Sequence, residues 1–419
     1  MTTDTMSPNL ALNEQVAARR AAGESILHLG FGESRLPAYP PLVDRLVAGA
    51  GQNAYGPVAG NDSVRAAVAG YFTRRNLPTE PDQVALAPGS KPLLMALNLV
   101  LPGDVAMPVP CWNTYAPQAK LAGKHVIGVP IPASCGGVPE PTALCESLRA
   151  ARKSGHDPRI VVLTLPDNPT GTQASPELVE EVCSIAERED LIVVSDEIYR
   201  DLVHDPAATP VLSPAEVLPE RTVVTTGLSK SLALGGWRIG AARFPVGATG
   251  EWIRGRLLAV ASEMWSTLAA PMQTVAEYAF AEPPELRRHL ATSARLHGVV
   301  ARAVHDLLDA AGADCRPPTA GFYVYPDFEP LREPLSWRGI TDSDSLQRFL
   351  LDELGVAVLA GHRLGDAEHA LRFKAATAML YGETPAEQWR ALSADDPLRL
   401  PHVARGLDRI GDCLRKLTS

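Results

Sequence analysis

Leu191-Ile192-Val193-Val194-Ser195-Asp196-Glu197-Ile198-Tyr199 begins as an unbroken apolar run and ends in carboxylates and a phenol. A strand with one face in water alternates apolar and polar residues, whereas an unbroken run marks a strand covered on both faces. Polar side chains gathered at its C-terminal end then stand where open α/β sheets receive their ligands. The same design recurs to either side. Ile160 to Leu165 runs into the turn-forming Pro166-Asp167-Asn168-Pro169-Thr170-Gly171-Thr172. Val84-Ala85-Leu86-Ala87 runs into Pro88-Gly89-Ser90-Lys91-Pro92, read as strand, glycine turn and helix start, with Pro92 suited to the first helical position. Asp104 to Val109, His125 to Ile131, Thr222 to Thr226 and Trp237 to Phe244 complete seven such runs, separated by helix-patterned segments. They predict an α/β fold with a mostly parallel seven-stranded sheet flanked by helices.

One intervening helix has a readable start: Ser175 as N-cap, Pro176 in the first turn and early acids that suit the helix dipole. After Phe244 the pattern turns helical, and a long segment from Pro284 to Ala311 is expected to bridge to a second unit. Thr319 to Tyr325 and Val356 to Leu359 read as strands of a smaller α+β domain. The expected organisation is an N-terminal arm over 1–45 packing with the small domain, a large domain over 46–295 and a small C-terminal domain over 296–419. Ser393 to Pro401 reads as an irregular insertion before a terminal helix from His402 to Leu417.

The chemistry-bearing residues cluster at these strand ends. Thr225-Thr226-Gly227-Leu228-Ser229-Lys230 is followed eight residues later by Arg238, in Gly235-Gly236-Trp237-Arg238-Ile239-Gly240. A lysine amine can condense with an aldehyde, and an arginine can fork onto a phosphate with two parallel hydrogen bonds. A helix that starts at Gly89-Ser90-Lys91 offers free N–H groups to the same anion. A buried Asp196 can keep a pyridine nitrogen protonated, while Asn168 and Tyr199 can donate to a phenolate.

These segments, with Asn53-Ala54-Tyr55-Gly56-Pro57-Val58-Ala59-Gly60, Pro108-Val109-Pro110-Cys111-Trp112-Asn113-Thr114-Tyr115, Ala370-Leu371-Arg372-Phe373 and Leu27-His28-Leu29-Gly30-Phe31-Gly32-Glu33, follow the motif order of a known family. The chain resembles the fold-type I pyridoxal-phosphate-dependent aminotransferases of class I/II, the aspartate aminotransferase superfamily. That resemblance implies pyridoxal 5'-phosphate held as an internal aldimine on Lys230, with Lys230 the base that moves the substrate's Cα proton to the cofactor. It assigns Gly89, Ser90, Lys91 and Arg238 to the phosphate, Trp112 to the ring face, Asp196 to the ring nitrogen, and Asn168 and Tyr199 to the ring oxygen. Gly32, Asn168 and Arg372 fall to the substrate, Arg372 gripping the α-carboxylate as a bidentate pair. Tyr55 is expected to reach a neighbouring subunit's phosphate, which implies a homodimer with shared active sites. An L-amino acid and a 2-oxo acid are the implied substrates.

Composition excludes several other classes. With 39 basic and 48 acidic residues the formal charge is −9, so nothing points to a nucleic-acid partner. No stretch approaches the ~18 apolar residues of a membrane span, and Met1 to Ser25 lacks the apolar core of a signal peptide. The expected location is cytoplasmic. Six scattered cysteines without a C-x-x-C pair, and histidines without ligand spacing, give no metal site.

The sequence also departs from the family pattern. Gly227 stands where a phosphate-binding serine or threonine is usual, and Lys374 replaces a small residue after Arg372. Ser262 occupies the slot of a distal-carboxylate arginine, and Glu263 beside it suggests pairing with a cationic amino acid. The alternative reading is an amino-acid oxidase, cyclase or lyase on the same fold, since the bond lost at Cα depends on substrate orientation. An effector-sensing regulator would need a helix-turn-helix segment ahead of the cofactor domain, and only a short arm precedes Leu27.

Overall fold

Seven strands form the central sheet: β1 (Val84–Ala87), β2 (Asp104–Val109), β3 (Val126–Pro130), β4 (Pro158–Thr164), β5 (Ile192–Asp196), β6 (Thr222–Gly227) and β7 (Gly240–Arg243). They are taken from a computed structural model that describes residues 6–418; the first five residues of the expected arm lie outside it. The strand order is β1-β7-β6-β5-β4-β2-β3. Every neighbouring pair is parallel except those of β7, which runs antiparallel to both β1 and β6. The α/β class and the seven expected strands are therefore present.

Burial explains why the runs are unbroken. Ile160, Val162 and Val194 enter one hydrophobic cluster, while Val161, Leu163 and Val193 enter another. Successive side chains on a strand point to opposite faces, so each run feeds two cores at once. At roughly 1.5–3 kcal/mol for each large aliphatic side chain buried, either face alone is a substantial driving force. A helix over Pro176–Arg188 covers one face with Val179, Val182, Ile185 and Ala186. Its N-cap is Ser175, whose hydroxyl accepts from the Leu178 amide, as the sequence predicts.

The 27-residue helix Pro284–Ala310 links two cores. Leu286 and Leu290 pack with the sheet's helices, whereas Leu296, Val300, Val304 and Leu308 belong to a separate cluster built from the C-terminal part. There Phe373–Ala376 pairs with Tyr323–Val324 on one side and Leu359–Ala360 on the other, both antiparallel. The N-terminal arm joins this unit: Leu27–His28 pairs with Val356–Ala357, and Leu12, Val16 and Ile26 pack on Ala357 and Leu359.

Two local expectations change. Within Thr319 to Tyr325 only Tyr323–Val324 is a strand. The Thr319 and Ala320 amides instead donate to the Gly171 carbonyl, which ties this segment to the turn after β4. The 393–401 stretch is a packed connector: Pro397 is buried, Leu398 and Leu400 rest on the second core, and Arg295 donates to the Ala394 and Asp395 carbonyls. Among the described residues, no helix is long and apolar enough to cross a membrane, and no cluster of three or more His, Cys, Asp or Glu could hold a metal ion.

Candidate active site

The C-terminal ends of the central strands open on a cavity of about 560 Å³. Its walls include Gly32, Ser90, Lys91, Trp112, Asn168, Asp196, Tyr199, Lys230 and Arg238, nine residues singled out from the sequence. They arrive from distant parts of the chain because each follows, or closes, a different strand. Asp196 is the last residue of β5, Asn168 sits in the turn after β4, and Lys230 lies in the short helix Leu228–Ser231 that continues β6.

Asp196 is 1% exposed. Its two oxygens accept from Tyr115 Oη at 2.9 Å and Thr225 Oγ1 at 3.2 Å. Burial still dominates and pushes its pKa up to about 6, with both hydroxyls opposing. A cation placed beside it would restore the carboxylate, so the site suits a protonated ring nitrogen. Tyr115 carried no role in the sequence reading, although it closes the motif that contains Trp112.

A polar chain lines the adjacent wall. Asn168 Nδ2 donates to Tyr199 Oη at 3.3 Å, and Tyr199 Oη lies 2.8 Å from Tyr323 Oη. Burial, then the Tyr323 phenol, holds Tyr199 well above its usual range, so it stays a neutral donor. Asn168 Oδ1 is buried without a hydrogen-bond partner among the described residues. Tyr323 escaped the sequence reading because its segment read only as a strand.

Another part of the cavity wall is cationic. Gly89 caps the helix Ser90–Val100 with φ +96°, a conformation that favours glycine. A Cβ there would stand 2.3 Å from Arg238 Nη2, so the bare backbone is what lets the guanidinium approach the helix start. Arg238 Nη1 donates to the Gly235 carbonyl and reaches Ser229 Oγ at 3.4 Å. Ser229, one residue before the lysine, thus brings a hydroxyl to the place where Gly227 has none. Lys91 Nζ sits 5.2 Å from the Trp112 ring centroid, and burial together with the Arg238 charge lowers its pKa. Two mutually repelling cations, a hydroxyl and a helix N-terminus form a cradle that an anion would relax.

Lys230 lines the same cavity and donates to the Gly32 carbonyl. Burial draws its pKa down to about 8, with Glu33 opposing and Arg238 and Lys91 adding to the fall. An amine titrating there exists in part as the neutral nucleophile at mild pH.

Tyr55, Glu263 and Arg372 do not line the cavity. Tyr55 is 87% exposed, so it serves no ligand within its own chain. Glu263 is exposed beside Ser262 at the end of the helix Gly247–Met264, with the Ser262 hydroxyl donating to it, and it forms no part of the cavity wall. Arg372 is the main correction: its Nε donates to Asp327 at 2.7 Å and its Nη1 to Asp366 at 3.2 Å, in a separate groove. Burial works against its charge, yet those two acids outweigh it and hold Arg372 above its usual range. Its fork is engaged by the protein itself and does not face the site. Lys374, noted from the sequence only as a departure, lines the cavity instead.

The family model for aminotransferase class I and II matches residues 27–379. The chain belongs to this family. It is 28% identical over 384 residues to the aspartate aminotransferase of Bacillus subtilis, covering 90% of this chain and 93% of that protein. It is 31% identical over 374 residues to the aspartate/prephenate aminotransferase of Cereibacter sphaeroides, covering 86% and 89%. The aspartate aminotransferase of Thermus thermophilus with maleate has the same fold, at a TM-score of 0.80, 24% identity and coverage of 98% and 97%. The chain is thus a pyridoxal-phosphate-dependent transaminase, and the oxidase, cyclase and lyase alternatives are not favoured.

Proposed function

We propose that the cavity transfers the amino group of an L-amino acid to a 2-oxo acid, with each wall residue in the role its surroundings prepare. Asp196 holds the ring nitrogen, Asn168 and Tyr199 hydrogen-bond the ring oxygen, and Trp112 covers a ring face. Gly89, Ser90, Lys91, Ser229 and Arg238 hold the phosphate. What pyridoxal phosphate supplies when bound is an aldehyde open to amine attack and a ring that accepts the electron pair left at Cα. Lys230, with a pKa near 8, would be the covalent anchor and, once released, the base that takes the Cα proton and returns it to the carbon across the nitrogen.

The observation that carries this reading is the gathering of Lys230, Asp196, Asn168, Tyr199 and Arg238 in one cavity whose wall holds both a buried acid and cations. The same reading divides the chain into an arm (1–45), a cofactor domain (46–295) and a small domain (296–419). It takes Tyr55, exposed in its own chain, to the phosphate of a second copy in a homodimer, and it locates the enzyme in the cytoplasm. Relatives are named for aspartate and prephenate, so aspartate heads the donor candidates and a 2-oxo acid such as prephenate the acceptors, although Ser262 leaves the distal-carboxylate slot without an arginine.

Absorbance spectra of the holoenzyme with single amino acids, without any 2-oxo acid, test the proposal. A transaminase converts its cofactor stoichiometrically to the amine form and stops there. Continuous regeneration of the aldehyde form with release of ammonia or loss of carbon dioxide would overturn it.

A further inference from the structure

Lys374 is 1% exposed and lines the cavity with Lys230, Gly32 and Tyr323. Among the described residues its ammonium has no carboxylate partner and no hydrogen-bond acceptor; it lies over the Tyr323 ring, 5.4 Å from the centroid. A buried lysine is costly unless an anion meets it. The protein supplies no such anion, so the ligand is the remaining source.

The arrangement of charges says which part of the ligand. Lys230 donates to the Gly32 carbonyl, a Cβ on Gly32 would meet Tyr323 Oη at 2.5 Å, and Lys374 lies over the Tyr323 ring. Lys374 therefore shares the Gly32–Tyr323 wall that Lys230 touches, whereas Arg238 packs at Gly89, in the phosphate cradle. The substrate reacts through its amine and Cα at Lys230, and its carboxylate is one bond from Cα. Lys374, on the wall that Lys230 touches through Gly32, is the cation placed to meet it. Arg372, two residues earlier and about 6–7 Å along an extended chain, is already bound by Asp327 and Asp366.

We infer that Lys374, in place of Arg372, is the cation that grips the substrate's α-carboxylate, with Gly32 and Tyr323 forming the walls beside it. This rests on the proposed function, since it needs the amino acid to react at Lys230. The substitution has a chemical consequence. An ammonium is a compact point charge without arginine's planar fork, so the carboxylate is held by one strong contact and is freer to rotate about it.

The test uses a matched pair of probes on the holoenzyme, 2-aminoisobutyrate and isopropylamine, which share an amine on a branched carbon and differ in the carboxylate. Dissociation constants come from absorbance titration, with no turnover required. In Lys374→Met, affinity for 2-aminoisobutyrate is expected to fall about 10- to 100-fold, the factor that goes with one charge-assisted hydrogen bond. Isopropylamine binding should stay within about threefold, Lys374→Arg should restore the acid's advantage, and Arg372→Met should leave it unchanged. Methionine suits the buried position, because it removes a desolvated charge while keeping the volume. A parallel loss for both probes in Lys374→Met would mark Lys374 as structural and overturn the inference. So would loss of the acid's advantage in Arg372→Met alone. No spectral response in the wild-type holoenzyme would remove the site reading, and this inference with it.

Discussion

Asp196→Asn separates the chemistry of the site from its stability, because the two should move in opposite directions. A carboxylate about 4 Å from a ring N–H⁺ contributes about 4 kcal/mol at an effective dielectric of 20. That corresponds to about three pKa units on the ring nitrogen, enough for it to lose its proton near neutral pH. Turnover is expected to fall about 10³-fold. The cofactor-free protein should gain. The folded pKa of Asp196, about 6, lies above its usual 3.8, so the folded form binds the proton more tightly than the unfolded one. Stability from this group is lost as pH rises from about 4 to 6, and above 6 the full cost is on the order of 3 kcal/mol. An asparagine never ionises and avoids that cost. Re-aiming the Tyr115 or Thr225 hydroxyl gives back about 1 kcal/mol, which leaves a net gain of about 2 kcal/mol at pH 8 that disappears below pH 4. Urea unfolding of the cofactor-free protein at both pH values, beside stopped-flow half-reactions of the loaded enzyme, measures both arms. Turnover within about tenfold of wild type at full cofactor loading would refute the role given to Asp196. A lower urea midpoint at pH 8 would refute the burial argument.

Other consequences follow from the same geometry. Gly89→Ala forces a Cβ into Arg238 at a positive φ; a loss of about 1–3 kcal/mol and weaker cofactor binding are expected in thermal melts and cofactor titration, and unchanged binding would detach Arg238 from the phosphate. Tyr55→Ala removes an exposed side chain, so chain stability should change by less than about 0.5 kcal/mol while cofactor affinity falls; unaltered affinity would count against a shared site. For the cofactor-free protein, Lys230 and Lys374 titrate in the folded state near 8 and 7, both below their usual 10.5, with burial the main cause. The unfolded chain then binds more protons between those values, so stability should rise from pH 7.5 to 9.5. Urea midpoints should show the rise, and Lys374→Met should flatten it; a midpoint that falls over this range would contradict the burial assigned to both lysines.

Much of this was legible in order along the chain. Runs such as Ile160 to Leu165 have one solution when both faces must be covered, and the seven runs duly became seven strands. Lys230, Asp196, Asn168 and Arg238 were legible because each is fixed by a strand end or a glycine turn only a few residues away. Tyr115 and Tyr323 were not, since a phenol inside an apolar segment reads as core until its hydroxyl is seen to reach Asp196 or Tyr199. The Thr319 to Tyr325 strand was over-read because local pattern does not reveal that its first amides would be taken by the Gly171 carbonyl.

The sequence by itself determined the sheet, the order of its strands' polar ends and the residue types at the cofactor's expected place, because these depend on short-range pattern and on turns. Tertiary structure alone decided which cation lines the cavity. Arg372 and Lys374 are two residues apart, and nothing local distinguishes an arginine that will find Asp327 and Asp366 from a lysine that will find no carboxylate. Those acids lie 45 and six residues away in the chain from Arg372. Only folding brings them close enough to claim the guanidinium and leave the ammonium to the cavity.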